Sequence, residues 1–181
     1  GVSLAFIQGA TSVPGVPLFV SAGQINAILP SNSPLGRVSV RVTYNGQVSN
    51  SSYIEVAATG FGAYSVYAGA GPGIFQNYNA ADQQPINTLV ESAKPGQVIT
   101  LWGTGLGAVA SDVVAPTAGD LPGVVEIFVG GKSVPKLYSG RSPCCAGSDQ
   151  VIFTIPPDAP TGCYVPVTVQ VNGVPGNTTT M

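Results

Sequence analysis

The sequence predicts an all-β protein built from two antiparallel β-sandwich modules in tandem. Three observations predict it: a stretch that occurs twice, short runs in which apolar and polar residues alternate, and the lack of a sustained helical period. The 181 residues include 24 glycines and 16 prolines, which interrupt every segment that could otherwise keep a 3.6-residue apolar period. Short alternating runs between turn residues are typical of sandwiches and barrels.

The duplicated stretch is QINAILPSNSPLGRVSVRVTYNGQVSN at residues 24–50 and QVIFTIPPDAPTGCYVPVTVQVNGVPGN at residues 150–177. The opening glutamines lie 126 positions apart (150 − 24 = 126), and the Asn-Gly pairs lie 127 apart (172 − 45 = 127). Each copy predicts a strand, a proline-rich corner, a longer alternating strand, an Asn-Gly hairpin and a return strand. Because self-similarity at a long period fixes the architecture, we expect two modules of one fold.

The first module is predicted to cover residues 1–58. Its strands are expected at residues 2–7, 17–20, 25–29, 38–44 and 52–57. Residues 59–93 are predicted to join the modules and to contain short strands, because a structureless stretch of that length is uncommon in compact proteins. The segment GPGIF at residues 71–75 is expected to open the second module.

The second module is predicted to cover residues 94–181. Its strands are expected at residues 97–102, 124–129 and 133–138, followed by the repeated unit. No counterpart of the strand segment PGQVITLWGTGLG, residues 95–107, precedes Val2. We therefore expect the first module to lack its opening strand.

The motifs PGQVITLWGTGLG and VTVQVNG, with a valine-rich strand running into Gly130-Gly131, resemble an immunoglobulin-like module of the IPT/TIG type. Together with VSAGQINAILP, GPGIF and SPCCAGSDQVIFTIP, they are similar to the two-module C-terminal region of large secreted Acidobacteria proteins, the Solibacter uncharacterised C-terminal domain family. The resemblance covers nearly the whole chain. It implies a pair of immunoglobulin-like sandwiches located outside the cell, and it implies no particular chemistry.

The charge content is low. Only 8% of the residues are charged, whereas 44% are hydrophobic, and the net charge is −2. Soluble domains usually carry roughly 25% charged residues, so this surface suits a protein that lies outside the cell, packs against copies of itself, or both. The six cationic residues are scattered, which argues against nucleic acid as a partner. Insertion into a membrane is not expected, since no apolar run is long enough.

No catalytic constellation is apparent. The chain has no histidine, which excludes a Ser-His-Asp or Cys-His site. Eight carboxylates are isolated along the sequence, so a calcium site at Asp112 and Asp120 is less favoured than a solvated loop. The glycines of GTGLG, residues 103–107, are expected to form a bend or bulge and not a phosphate loop. We expect no enzyme activity, cofactor or metal.

The three cysteines leave their pairing open. The favoured pairing joins Cys144 or Cys145 to Cys163 across the strand at residues 151–155, which would close a loop of about 20 residues. A vicinal Cys144–Cys145 bridge, an interchain bond and three reduced thiols are the alternatives. Asn50 and Asn177 match the N-glycosylation pattern, but a repeated turn and strand explains both without a sugar.

Two functions follow as hypotheses. The favoured one is an extracellular structural or adhesive module that assembles with copies of itself, because a neighbour's strand would complete the first module. Residues 1–7 or 175–181 are the expected donors. The alternative is an accessory module that binds carbohydrate or protein through exposed aromatic side chains, with Tyr64, Tyr67, Tyr78 and Tyr138 as the candidates.

Overall fold

The computed structural model describes residues 1–112 and 119–181. Strands in antiparallel sheets dominate these residues, which confirms the predicted all-β fold. The part of the chain that the structure describes contains no helix able to span a bilayer. By internal contacts the chain divides into two units. Unit 1 comprises residues 1–58 with the described residues 108–112, and unit 2 comprises residues 59–107 and 119–181.

The described residues of unit 1 contain seven strands. They are β1 (Val2–Gln8), β2 (Thr11–Pro14), β3 (Val16–Val20), β4 (Ile25–Ile28), β5 (Gly36–Tyr44), β6 (Gln47–Val48) and β7 (Ser52–Val56). One sheet has the order β2-β1-β5-β6, with β7 also paired to β5. In the described part of the unit, the other sheet consists of β3 and β4.

Unit 2 contains the remaining strands. They are β8 (Gly62–Ala63), β9 (Ser65–Tyr67), β10 (Ala70–Gly73), β11 (Phe75–Asn77), β12 (Val98–Thr104), β13 (Val125–Val129), β14 (Lys132–Val134), β15 (Lys136–Arg141), β16 (Asp149–Thr154), β17 (Pro166–Val171), β18 (Val174–Pro175) and β19 (Thr179–Thr180). One sheet has the order β14-β13-β17-β19-β10-β9, with β18 paired to β17. The other has the order β11-β12-β16-β15, with β8 paired to β12.

The two copies of the repeat pair their strands in the same register. Val40 faces Ser52 between β5 and β7, and the residues 127 positions later, Val167 and Thr179, face each other between β17 and β19. Both copies also shift register at one point, between Pro17 and Phe19 on β3 and between Lys136 and Tyr138 on β15. The duplication read from the sequence is therefore a duplication of hydrogen-bonding pattern.

The Asn-Gly turns explain why this register persists. Asn45 has φ of 49° and Asn172 has φ of 52°, and the glycine that follows each has φ of 79° or 77°. A two-residue hairpin with both central residues at positive φ matches the twist of the flanking strands, and Asn-Gly is the pair that adopts it most readily. Each turn therefore fixes the return strand against β5 or β17.

The core of unit 2 lies between its two sheets. Ile99 on β12, Phe153 on β16, Ile127 on β13 and Val171 on β17 are fully buried in one cluster. Because these strands belong to different sheets, unit 2 is a sandwich. In unit 1 the corresponding buried cluster is small and consists of Phe6, Val38 and Val56.

Candidate functional site

The strand β4 of unit 1 has a free edge. Its counterpart in unit 2, β16, lies between β15 and β12. Among the described residues β4 pairs with β3 alone, and none of them forms a strand equivalent to β12 in unit 1. One row of backbone N–H and C=O groups on β4 is therefore left without a ladder partner from these residues.

Three side chains on or directly after β4 correspond to buried core residues of unit 2 and are less well covered than their counterparts. With the offset of 126, Ile25, Ala27 and Leu29 correspond to Val151, Phe153 and Ile155. The latter three are buried, with exposures of 0%, 0% and 3%. In unit 1, Ile25 and Ala27 are half-buried, and Leu29 is 38% exposed.

The sheet that contains β5 and β7 also leaves an apolar side chain partly exposed. Ile54 on β7 is paired with Val38 on β5 and therefore lies on the same face of the sheet. Val38 is fully buried, yet Ile54 is 37% exposed. The residue 127 positions later, Met181, packs against the core of unit 2. We name the free edge of β4 together with Ile25, Ala27, Leu29 and Ile54 the open edge.

Further apolar side chains lie at the surface of the neighbouring strand β3. Leu18 and Phe19 are 60% and 51% exposed, and Leu35, in the corner after β4, is 59% exposed. Exposed apolar groups beside an unpaired strand edge are typical of surfaces that bind another strand. The open edge therefore has the geometry of a strand acceptor.

The corner that follows β4 is held by a carboxylate. The Ser31 backbone N–H and hydroxyl donate to the two carboxylate oxygens of Asp112, at 2.8 and 2.7 Å. The Val109 N–H donates to the Ser31 hydroxyl at 2.9 Å. Asp112 therefore anchors the corner at the end of β4.

Asp120 is also bound within the protein. Its carboxylate accepts from the Ser139 N–H at 2.6 Å and from the Lys136 ammonium at 3.0 Å. The Ser139 N–H, followed by Lys136, lowers the pKa of Asp120. Within residues 1–112 and 119–181, no three Cys, Asp and Glu side chains lie close enough together to hold a metal ion.

A buried ion pair lies at the end of β15 and β16. The Arg141 guanidinium donates to Asp149 at 2.7 Å, and the Leu106 N–H donates to the other carboxylate oxygen at 2.8 Å. The Asp149 side chain is 0% exposed and that of Arg141 is 11% exposed. Burial raises the pKa of Asp149, while the Leu106 N–H and Arg141 act in the opposite direction. Since no solvent reaches the carboxylate, this pair is a structural clamp.

The glycines of the GTGLG segment end β12 and contact a neighbouring strand. Gly103 pairs with Ala63 of β8, and the Gly60 N–H donates to the Gly105 carbonyl at 2.9 Å. Gly105 has φ of 97°, and a Cβ there would lie 2.3 Å from the Gly60 carbonyl oxygen. No helix begins in residues 105–112. The segment therefore lacks the helix N-terminus that a phosphate loop requires.

The favoured cysteine pairing is wrong. Cys144 and Cys145 form a vicinal disulfide, and Cys163 is free and exposed. The physical reason is the strand between them: β16 has six residues, and a strand of that length spans about 20 Å. The loop bearing Cys144 and Cys145 does not fold back along the strand, because the Ser142 N–H bonds to the Ser148 carbonyl and closes the loop on itself.

The predicted aromatic residues do not form one surface. Tyr67 is 70% exposed, Tyr78 46% and Tyr64 38%, whereas Tyr138 is half-buried. Tyr78 follows β11 and Tyr138 lies on β15, which are opposite edges of one sheet. The Tyr138 hydroxyl also donates to the Arg141 carbonyl at 2.7 Å.

The two candidate glycosylation asparagines differ in surroundings. The Asn177 carboxamide binds the backbone of Ala63 in both directions, at 2.7 and 3.1 Å, and donates to the Gly69 carbonyl at 2.9 Å. Its nitrogen is thus engaged within unit 2. Asn50 is exposed.

Comparison with known protein families and with curated proteins identifies no match to this chain.

Proposed function

We propose that this chain is a non-catalytic extracellular structural or adhesive module, in which a strand from a neighbouring chain or module completes unit 1. The observation that carries the proposal is the edge of β4, which within the described residues pairs with β3 alone, although its counterpart β16 is paired on both sides. In this proposal the units are immunoglobulin-like sandwiches of the IPT/TIG type, as in the Solibacter C-terminal family.

Two physical arguments support assembly through this edge. Unpaired backbone groups and half-covered apolar side chains both cost free energy, and an added strand removes both costs at once. The chain also carries few charges, 8% of its residues, and a net charge of −2, so little electrostatic repulsion opposes close packing of copies.

The two terminal segments expected as donors are already in use. β1 lies between β2 and β5, and β19 lies between β17 and β10. Releasing either strand would break an existing sheet. The donor is therefore a segment other than these two strands.

Assembly is tested by adding a charge to the core-facing side of β4. Ala27→Asp places a carboxylate in the space that a donor strand would cover, and it is expected to leave the protein monomeric by light scattering and electron microscopy while the parent chain forms oligomers or filaments. Asn26→Asp is the matched control: it adds the same charge to the preceding residue, which is exposed, and it is expected to assemble. A parent chain that is monomeric at all concentrations would exclude the proposal.

The second candidate function is an accessory module that binds carbohydrate or protein. The observation that favours it is the exposure of Tyr67, at 70%, in the same unit as Tyr64 and Tyr78. Exposed aromatic rings are typical of binding surfaces. Specific binding on a glycan array that is lost in Tyr67→Ala, with the chain remaining monomeric, would favour this function over assembly.

A further inference from the structure

The duplication shows how a strand sits against the equivalent edge in unit 2. β12 runs antiparallel to β16, with Ile99 facing Phe153, Thr100 facing Ile152 and Leu101 facing Val151. Ile99 and Leu101 are 0% and 1% exposed. Directly opposite residues on antiparallel strands lie on the same face, so these two side chains fill the core beside Phe153 and Val151.

Subtracting 126 from the residue numbers of β16 gives the residues of β4 that a donor strand would face in unit 1. Phe153 corresponds to Ala27, Ile152 to Asn26 and Val151 to Ile25. The agreement of the β3–β4 and β15–β16 ladders, including the shift at Phe19 and Tyr138, supports the transfer. A donor residue opposite Ala27 would therefore occupy the position of Ile99, and one opposite Ile25 the position of Leu101.

One side chain of β4 is much smaller than its counterpart on β16. Phe153 fills its place in the core of unit 2, whereas the equivalent residue in unit 1 is an alanine. Close packing requires that volume lost on one strand be supplied by its neighbour. By this reasoning, a donor residue opposite Ala27 needs a side chain bigger than isoleucine to supply the same volume.

We propose that the open edge binds an extended polypeptide segment that runs antiparallel to β4. The side chain of this segment opposite Ile25 is apolar, and the side chain opposite Ala27 is aromatic. The residue between them lies on the opposite face of the strand, as Thr100 does between Ile99 and Leu101. This inference rests on the proposed function in one respect. Both take the strand that completes unit 1 to come from a segment other than the described strands.

The test uses synthetic peptides with the sequence of residues 96–104, GQVITLWGT. The full 181-residue chain is refolded from denaturant in excess peptide, so that an edge occupied by another copy does not mask binding. The parent peptide is expected to bind, and a peptide with phenylalanine at the position of Ile99 is expected to bind about tenfold more tightly. A scrambled peptide and one with aspartate at that position are expected not to bind.

The acceptor variant Ala27→Phe is the matched control for size. It is expected to remove the advantage of the phenylalanine peptide, because the space is then filled from β4, while the parent peptide still binds. Equal binding of the scrambled peptide, or an unchanged preference for the phenylalanine peptide in Ala27→Phe, would overturn the inference.

The peptide experiment can separate this inference from the proposed function. A monomeric chain that binds the phenylalanine peptide with the expected preference would retain this inference and reject self-assembly. An assembling chain whose assembly is unaffected by excess of either peptide would retain self-assembly and reject the register transferred from β12 and β16.

Discussion

At the residue scale, the ion pair of Arg141 and Asp149 holds together separate segments of unit 2. The Asp149 side chain is fully buried and that of Arg141 is 11% exposed, so neither charge would be well solvated without the other. The Gly107 carbonyl accepts from the second guanidinium nitrogen at 3.2 Å. The pair thus fastens the segment after β12 to the ends of β15 and β16.

Asp149→Ala is expected to lower the free energy of unfolding by about 3–5 kcal/mol, because it leaves Arg141 buried without its counter-ion. The measurement is chemical denaturation followed by tryptophan fluorescence. The double variant Arg141→Met/Asp149→Leu is expected to lose less than the single variant, since it removes both charges.

The exposed pair of Lys132 and Asp158 provides the control. Asp158→Ala is expected to leave the denaturation midpoint unchanged, because solvent screens a pair at the surface. An Asp149→Ala variant as stable as Asp158→Ala would contradict the role given to the buried clamp.

Asp120 makes a pH-dependent contribution to stability. Its native pKa is lowered from 3.8, first by the Ser139 N–H and then by Lys136. A lowered native pKa means that the stabilisation is present above the unfolded-state value and is lost as the pH falls through the native value. Asp120→Asn is therefore expected to be less stable than the parent at pH 7, and the difference is expected to close in strong acid. Denaturation midpoints across that range give the comparison, and a gap that persists unchanged at the acid end would contradict the assignment.

The roles of the bound carboxylates could not be assigned from the sequence. Arg141 and Asp149 are eight positions apart with the cysteine loop between them, and their contact requires the β15–β16 register. Asp112, the less favoured calcium candidate, has both carboxylate oxygens bound to Ser31, a residue 81 positions away. Long-range hydrogen bonds of this kind leave no local pattern in the sequence.

At the element scale, the alternation of apolar and polar residues predicted most of the long strands. It did not predict where a strand is interrupted. The single strand expected at residues 133–138 is two strands in different sheets, β14 and β15. Pro135 separates them, and a proline has no N–H for a ladder. In unit 1 the equivalent break between β2 and β3 falls at Gly15, where a Cβ would lie 2.8 Å from the Phe6 ring.

The cysteine loop leads to a prediction about labelling. The native protein is expected to react with one equivalent of maleimide, at Cys163, because this thiol is exposed and the other two are joined. Cys163→Ser is expected to abolish the reaction, and peptide mapping without reduction should recover Cys144 and Cys145 in one cross-linked peptide. A peptide in which either is joined to Cys163 would contradict the structure.

At the scale of the whole molecule, the sequence predicted that a strand of the first module is missing. It did not predict which segments are free to replace that strand. The comparison of the two copies predicted that the first module lacks a counterpart of β12, and among the described residues β4 pairs with β3 alone. The roles of residues 1–7 and 175–181 could not be seen in the same way, because both segments form strands with neighbours far away in the sequence. Sheet order depends on which strands meet in space, and alternation alone does not encode it.

The two units are expected to unfold separately. Unit 1 has a small buried cluster, whereas the cluster of unit 2 includes residues of both its sheets, and buried apolar area is the main source of stability. The only tryptophan, Trp102, lies in unit 2. Circular dichroism is therefore expected to detect a transition at lower denaturant than tryptophan fluorescence does.

The peptide with phenylalanine at the position of Ile99 provides a control for this assignment. If the earlier transition belongs to unit 1, the peptide is expected to move it to higher denaturant and to leave the fluorescence transition in place. Coincident transitions by the two probes in the absence of peptide would show that the units unfold together.

The position of β19 has a consequence for synthesis on the ribosome. This strand lies between β17 and β10 and pairs in parallel with β10, joining Thr180 to Pro72. The longer sheet of unit 2 thus stays open until residue 180 has left the exit tunnel. The ladders among β1 to β7 of unit 1 need no residue after Val56. Unit 1 is therefore expected to emerge and pair its strands first, with β4 accessible to other nascent chains while unit 2 is still being made.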